Sequence, residues 1–510
     1  MTVENHVLSS FFQTPFGLAD CESEVRILRK QKEDYKDLYF DQTPFNEAAR
    51  AANAYLIIGR RGSGKTALAQ SFSFRHEGAA PIYISVDNPR TYREVLADVS
   101  GDSQQPRDVS VARLCHVWEY TIWRLIETEL REVYSPRQPD ASSRVKRILE
   151  DLYALLFSEE VEFEDSDDRL VDLLSNSELE KIKRDAKRIA KSRPIIVVLD
   201  TLEKYDLTDE NLINAVAALI QFSEDFNQDF SSDNIHIKTL MSGEVFPHLE
   251  EEVLDNPSKS IRDQVFLLWR PRDLLRLIAW RFYLYLSLHK QLRQESQHSI
   301  NWSSYDDVLE KMWIPYFGEY VTNGRGIREH TFPYVLRHTQ MRPRQLIILC
   351  NSIAAATQQN KHSTFPVMHE TDIVAGVKAA EDRLATEVIN SFSAAYKNIA
   401  GILDSLQGCP MNFPGKELDR RAHHTASEWP VGDYGQSAFR RLVAELGIVG
   451  RVRKRTENVI DAEFEYSIPR RLSLMQSDDC VIHPMFYSRF NVNLNSPLRV
   501  MPFRGEVDFS

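Results

Sequence analysis

Eight consecutive residues carry the most explicit chemistry in the sequence: Gly59-Arg60-Arg61-Gly62-Ser63-Gly64-Lys65-Thr66, a complete G-x-x-x-x-G-K-T. Glycines at these places let successive backbone N–H groups turn inward as a nest for phosphate oxygens. A helix opening near Lys65 and running through Ala67 toward Phe74 adds its positive end to the same anion site. Lys65 supplies a point charge between phosphates, and the Thr66 hydroxyl is a hard oxygen ligand for Mg²⁺. A second carboxylate must help hold such a cation. Asp200 ends the apolar run Ile195 to Leu199, and a parallel strand would deliver it to the sheet edge that carries the phosphate loop. Hydrolysis also requires a base for the attacking water. The next acid, Glu203, is the candidate; its other reading is a surface acid on a loop.

These residues need a scaffold, and the pattern around them describes one. A short strand, Tyr55 to Ile58, precedes the loop and a helix follows it. Further apolar runs bounded by polar residues occur at 81–87, 194–200, 235–243 and 264–269, as expected of buried parallel strands. Helical periodicity dominates 111–134 and recurs around Leu212 to Phe226. Alternation over 54–269 predicts an α/β core with a parallel sheet. The acid run 158–168 contains no basic residue; it reads as a solvated loop or as an acidic partner-binding patch. Residues 271–380 read as helical throughout. Beyond Phe392 the expected order is a helix over 391–406, two more helices, and alternating strands around a polar turn, a winged-helix-like α+β module.

The phosphate loop, the strand ending in Asp200 and the nearby acid resemble P-loop ATPases of the additional-strand class. Asp200-Thr201-Leu202-Glu203 is similar to the D-x-x-D/E of STAND and KAP-type ATPases; Thr201 stands where most AAA+ proteins have the second acid of an Asp-Glu pair. Across residues 10 to 490 the layout looks like a bacterial AAA+/STAND-like ATPase with an origin-recognition-type lid and a C-terminal winged helix, a kind found in phage-defence loci. The resemblance implies four segments: an N-terminal helical segment (1–50), a P-loop NTPase core (51–270), a helical lid (271–385) and the winged-helix-like domain (386–510). It further implies a γ-phosphate sensor at the end of the fourth strand, where Ser242 stands beside Glu244. An arginine finger acting on a neighbouring subunit falls on Arg262. A lid arginine at the start of the helix after Met341-Arg342-Pro343-Arg344 would reach back to the phosphate, with Arg344 favoured over Arg342. Arg262 also reads as a solvated arginine, and Arg344 as a basic residue at a domain seam. ATP and Mg²⁺ are the implied cofactors, a homo-oligomer the implied assembly, and a separate protein effector the implied partner, since no nuclease, protease or deaminase motif accompanies the loop. A DNA-binding initiator or loader and a nucleotide-gated scaffold with little turnover are the competing functions.

The remaining sequence bounds these readings. At 510 residues the chain exceeds one ordinary core, and 43% hydrophobic with 27% charged residues is a globular composition. With 62 basic and 74 acidic residues the formal charge is −12, which excludes a histone-like positive coat and leaves only local basic patches for nucleic acid. One such patch runs from Arg440 to Arg455: six basic residues against Glu445, inside a 401–510 segment holding 14 basic and 14 acidic residues. It can serve nucleic acid or a protein contact. Five scattered cysteines with no CxxC pair suggest a reducing compartment. No basic region followed by an apolar run opens the chain and no apolar stretch approaches a membrane span, so a cytoplasmic protein is expected. His483, in an aromatic stretch, has no evident nucleophile beside it and reads as structural. The 14 histidines show no metal-ligand spacing.

Overall fold

A computed structural model describes residues 14–30, 36, 38–74, 80–87, 89–100, 107–132, 140–157, 163–200, 210–247, 264–393, 395–468, 471–494 and 496–504. The chain divides into two compact units. One comprises 44–60 and 65–267; the other comprises 1–43, 61–64 and 268–510.

The unit that ends at Leu267 is built on a five-stranded sheet, β1 (Leu56–Gly59), β2 (Ile82–Val86), β3 (Ile195–Leu199), β4 (Ile235–Ser242) and β5 (Gln264–Phe266), in the order β2-β3-β4-β1-β5. Every pairing is parallel. Strand β4 thus lies between the strand that opens the phosphate loop and the strand that ends before Asp200, which is the additional-strand arrangement of an α/β P-loop fold. All five residues of β3 and all eight of β4 are buried, which explains the unbroken apolar run of β3: both faces of a central parallel strand are covered. Its helices include α1 (Pro44–Arg50), α2 (Lys65–Ser71), α3 (Arg107–Glu132), α4 (Ala141–Leu156), α5 (Phe163–Leu174), α6 (Ser177–Ala190) and α7 (Glu210–Phe230), besides a short helix over Arg93–Ser100. From α3, Leu114, Trp118, Ile122 and Trp123 enter the core with Ala218 and Leu219 of α7. Trp118 also donates its indole N–H to Ala215 O at 3.0 Å, so its polar atom is not stranded.

Two polar side chains brace β4. Asn227 of α7 bonds both the N–H and the C=O of Ile237, at 2.8 and 2.9 Å. Lys238, 2% exposed, sends Nζ to Ala51 O and Ala54 O at 2.7 and 2.6 Å, fixing the chain between α1 and β1. Burial pushes its ammonium down to about 7. A neutral amine keeps two hydrogens, one for each carbonyl.

The acid run departs from the loop expectation. Residues 163–168 form the start of α5, and buried Arg113 of α3 bonds Ser166 Oγ at 2.9 Å and pairs with Asp167. The basic partner comes from fifty residues upstream, beyond any local pattern.

In the other unit, α8 (Pro271–Leu288) has Pro271 in its first turn, where the missing N–H costs nothing. Its Arg276 and Arg281 are buried. Arg281 pairs with Glu24 and donates to Phe16 O at 2.7 Å, while Glu24 also accepts from Leu18 N; burial raises the Glu24 carboxyl against the pull of Arg281. Helices α9 (Pro343–Gln359) and α10 (Glu370–Ser391) follow. The segment 271–380 is not wholly helical: β6 (Tyr320–Thr322) and β7 (Arg328–His330) form an antiparallel hairpin around Asn323 and Gly324.

The C-terminal part runs α11 (Ile399–Leu403), β8 (Asn412–Pro414), α12 (Lys416–Ala422), α13 (Gln436–Glu445), β9 (Val449–Arg455) and β10 (Val459–Glu463), the helix, strand, helix, helix, hairpin order of a winged helix. β11 (Asp479–Ile482) and β12 (Arg499–Met501) enlarge the sheet to β12-β10-β9-β11-β8. The expected helix over 391–406 shrinks to α11 and one following turn, because Asn398 takes a left-handed φ of 53° at its start. Gly447 closes α13 with φ 64°. His483 is fully buried, with Nε2 at 2.7 Å from Tyr466 Oη, and burial holds its pKa well below the ordinary value. None of the five cysteines forms a disulfide. Among the described residues no helix is long and apolar enough to cross a membrane.

Candidate functional site

The phosphate loop begins where β1 ends. Gly59 pairs with Ser242 of β4, and Gly59 O accepts from Gly243 N at 3.0 Å and from Lys65 Nζ at 2.7 Å. Lys65 is buried at the first position of α2. Gly62 and Gly64 have φ of 83° and 99°, the left-handed region that costs an L-residue but not glycine. Space also excludes a side chain at Gly62, where a Cβ would stand 3.0 Å from Arg344 Cβ. Ala67 lies in the first turn of α2.

The carbonyls of the loop are occupied one after another. Arg342 Nη1 donates to Arg61 O at 3.0 Å, Arg344 N to Gly62 O at 3.3 Å, and Trp269 Nε1 to Ser63 O at 2.7 Å. In a planar trans peptide, the carbonyl of one residue and the N–H of the next point in opposite directions. Holding these three carbonyls therefore turns the N–H groups of Gly62, Ser63 and Gly64 to the other side of the loop. That is the geometry of an anion nest.

Thr66 Oγ1 donates to Asp200 Oδ2 at 3.0 Å. Asp200 is fixed by its own N–H, which continues the β2–β3 ladder to Val86 O at 2.9 Å. Two hard oxygens at this separation suit Mg²⁺: with metal–oxygen bonds of about 2.1 Å, neighbouring ligands of an octahedron stand about 3.0 Å apart. Thr66 closes the G-x-x-x-x-G-K-T motif in the chain. Among the described residues there is no cluster of three or more His, Cys, Asp or Glu side chains that could hold a metal ion.

The other expected residues are placed as follows. Ser242 lies at the end of β4 and donates to Glu244 Oε2 at 2.7 Å; both are buried beside Gly59. Arg344 meets the loop through its main chain and Cβ, while its guanidinium bonds Ala19 O at 3.1 Å and Glu387 at 3.3 Å. Glu203 and Arg262 lie outside the described residues. Trp269 was missed in the sequence; its only signal was an aromatic residue just ahead of the Pro271 helix start.

Residues 286–387 match the FunZ-associated C-terminal helical domain. This stretch holds α9 and most of α10, and with them Arg342, Arg344 and Glu387. No curated protein matches the chain. Among solved structures the chain is similar to the ORC2 protein of Aeropyrum pernix in its ADPNP-ADP complexes, at 11% identity and a TM-score of 0.35 over 79% of this chain and 84% of that one.

At the far end, four of the six basic residues between Arg440 and Arg455 are already paired: Arg440 with Asp419, Arg441 with Glu445 at 2.7 Å, and Arg451 and Arg453 with Glu463 at 2.8 and 3.6 Å. Lys454 and Arg455 are exposed at the hairpin end.

Proposed function

We propose that the chain is a Mg²⁺-dependent ATPase that works as a nucleotide-driven switch. The observation that carries this reading is the meeting of Thr66 and Asp200, 3.0 Å apart, beside a loop whose peptides are oriented as an anion nest. The N–H groups of 62–64 bind phosphate oxygens, and Lys65 adds a charge between the outer phosphates. Thr66 and Asp200 hold Mg²⁺, which when bound neutralises charge on the phosphates. Glu203 is proposed as the base that takes the proton of the attacking water, Ser242 as the γ-phosphate sensor and Arg262 as the arginine finger supplied to a neighbouring copy. ATP is taken as the nucleotide on the resemblance of the motifs. A separate effector in a defence role and assembly into a homo-oligomer stay part of this proposal on the same ground.

Phosphate release by purified protein tests it. Lys65→Ala should abolish ATP binding in calorimetry, and Glu203→Gln should bind ATP but not turn it over. Wild-type protein that neither binds nor hydrolyses ATP with Mg²⁺ present refutes the reading.

For the winged-helix-like part we favour a protein contact over a nucleic-acid duplex. Four of its six clustered cations are spent on ion pairs, which lowers the charge available for phosphates.

A further inference from the structure

The arginine that holds the phosphate loop is itself held from behind. Arg342, 4% exposed, has Nη1 on Arg61 O and Nη2 on Gln340 Oε1 at 2.6 Å. The amide of Gln340, 2% exposed, then donates through Nε2 to Leu446 O at 2.7 Å and to Gly447 O at 3.4 Å. These two carbonyls end α13 and lead directly into β9. A single line of buried hydrogen bonds thus runs from the phosphate loop to the root of the β9–β10 hairpin.

The surroundings hold this arrangement in place. Gln340 is fixed by its own N–H on Gln345 Oε1 at 2.7 Å. Met341, between the two relay residues, is buried with a φ of 54°, a conformation that costs a side-chain-bearing residue and persists only where its neighbours enforce it. At the far end Gly447 has no room for a side chain, since a Cβ would stand 2.8 Å from Gln340 Nε2 and 2.7 Å from the Tyr466 ring. Buried polar chains in a low-dielectric surrounding hold their partners firmly, because an unpaired member is costly.

We infer that Arg342 is a positioning residue for the phosphate nest and that Gln340 ties it to the Leu446 and Gly447 carbonyls, so that nucleotide in the loop and the seating of β9 report on each other. This rests on the proposed nucleotide site. Arg342 sets the plane of the 61–62 peptide, and any shift of that plane on phosphate binding moves the acceptor of Arg342 and through it Gln340. Linkage makes the effect reciprocal: a partner that seats or unseats β9 changes ATP affinity by the factor that ATP changes partner binding.

Amide hydrogen exchange of the full chain, with and without a non-hydrolysable ATP analogue, tests the relay, with calorimetry of the analogue alongside. In wild type, binding should change exchange in the peptide covering 446–452. Arg342→Ala should weaken binding by roughly 5- to 150-fold, the usual span of such coupling, and Arg342→Lys should recover part of the loss. Gln340→Met, of similar shape, should weaken binding less and erase the exchange response at 446–452. Gln340→Glu, which keeps the acceptor for Arg342 but presents oxygen to both carbonyls, should erase the response too, and covers the case in which Gln340→Met fails to fold. A wild type that binds the analogue with unchanged exchange at 446–452, or a response that survives both Gln340 variants, overturns the relay. A wild type that binds no nucleotide overturns the site reading first, and the relay with it.

Discussion

Replacing Asp200 by Asn isolates the charge that the site depends on. The amide keeps the shape of the carboxylate and an oxygen to accept from Thr66, so the 3.0 Å contact and the end of β3 can persist. What disappears is one negative charge beside a cation. Two unit charges about 4 Å apart interact by about 4 kcal/mol at an effective dielectric of about 20. That is equivalent to roughly a thousandfold; the second charge of Mg²⁺ raises it, and partial solvation of the half-buried Asp200 lowers it. Asp200→Asn should therefore reduce steady-state phosphate release by about 10²- to 10³-fold. The Mg²⁺ concentration giving half-maximal rate should rise, with the melting temperature close to wild type. Thr66→Ala should shift the Mg²⁺ dependence in the same direction. An Asp200→Asn protein that hydrolyses ATP at the wild-type rate with an unchanged Mg²⁺ midpoint would refute the assignment of both ligands.

Three other outcomes follow from the geometry. Gly62→Ala places a Cβ at 3.0 Å from Arg344 Cβ on a φ of 83°; at about 1–3 kcal/mol for such strain it should lower ATP affinity about 5- to 150-fold by calorimetry, and an unchanged affinity would show the loop is not used in this form. Trp269→Phe removes the donor to Ser63 O and should weaken nucleotide binding about 5-fold, the equivalent of about 1 kcal/mol for one hydrogen bond. A nucleotide-dependent change in tryptophan emission should be present in wild type and reduced in this variant. For Lys238, the folded pKa of about 7 lies below the ordinary 10.5. Between these values the unfolded chain holds a proton that the folded one lacks, so this residue's contribution to stability is present above the upper value and lost as pH falls to the lower. Urea unfolding should show wild type gaining on Lys238→Met by up to about 1.4 kcal/mol per pH unit above pH 7; a difference independent of pH would contradict the shift.

The strands and the loop were legible because their signals are local. Ile195 to Leu199 and Ile235 to Ser242 are apolar or buried without interruption, and a turn of glycines ahead of Lys65 admits few other readings. The Thr66–Asp200 meeting followed once both strands were taken as parallel. The misreadings come partly from partners far away in sequence and partly from local backbone turns. In the acid run, Asp167 has its basic partner in Arg113, 54 positions upstream. Asn398 ends the apparent helix over 391–406 by adopting φ 53°, which helical periodicity does not register. The hairpin at β6 and β7 did carry a local cue, Asn323-Gly324, the favoured pair for a tight turn, but its strands are only three residues long. The donors to the loop carbonyls were invisible for the same reason: Trp269 and Arg342 stand 206 and 281 positions from their acceptors.

Those distances bear on how the protein can be taken apart. A fragment ending at Leu267 would contain the complete G-x-x-x-x-G-K-T motif and Asp200, yet none of the three groups that orient the peptides of Arg61, Gly62 and Ser63. The acceptors are main-chain oxygens, whereas one of the donors is the side chain of position 342. The shape of the loop is written largely outside the loop. Its motif is portable in spelling and not in function, and a domain cut at the usual boundary would inherit the word without its meaning.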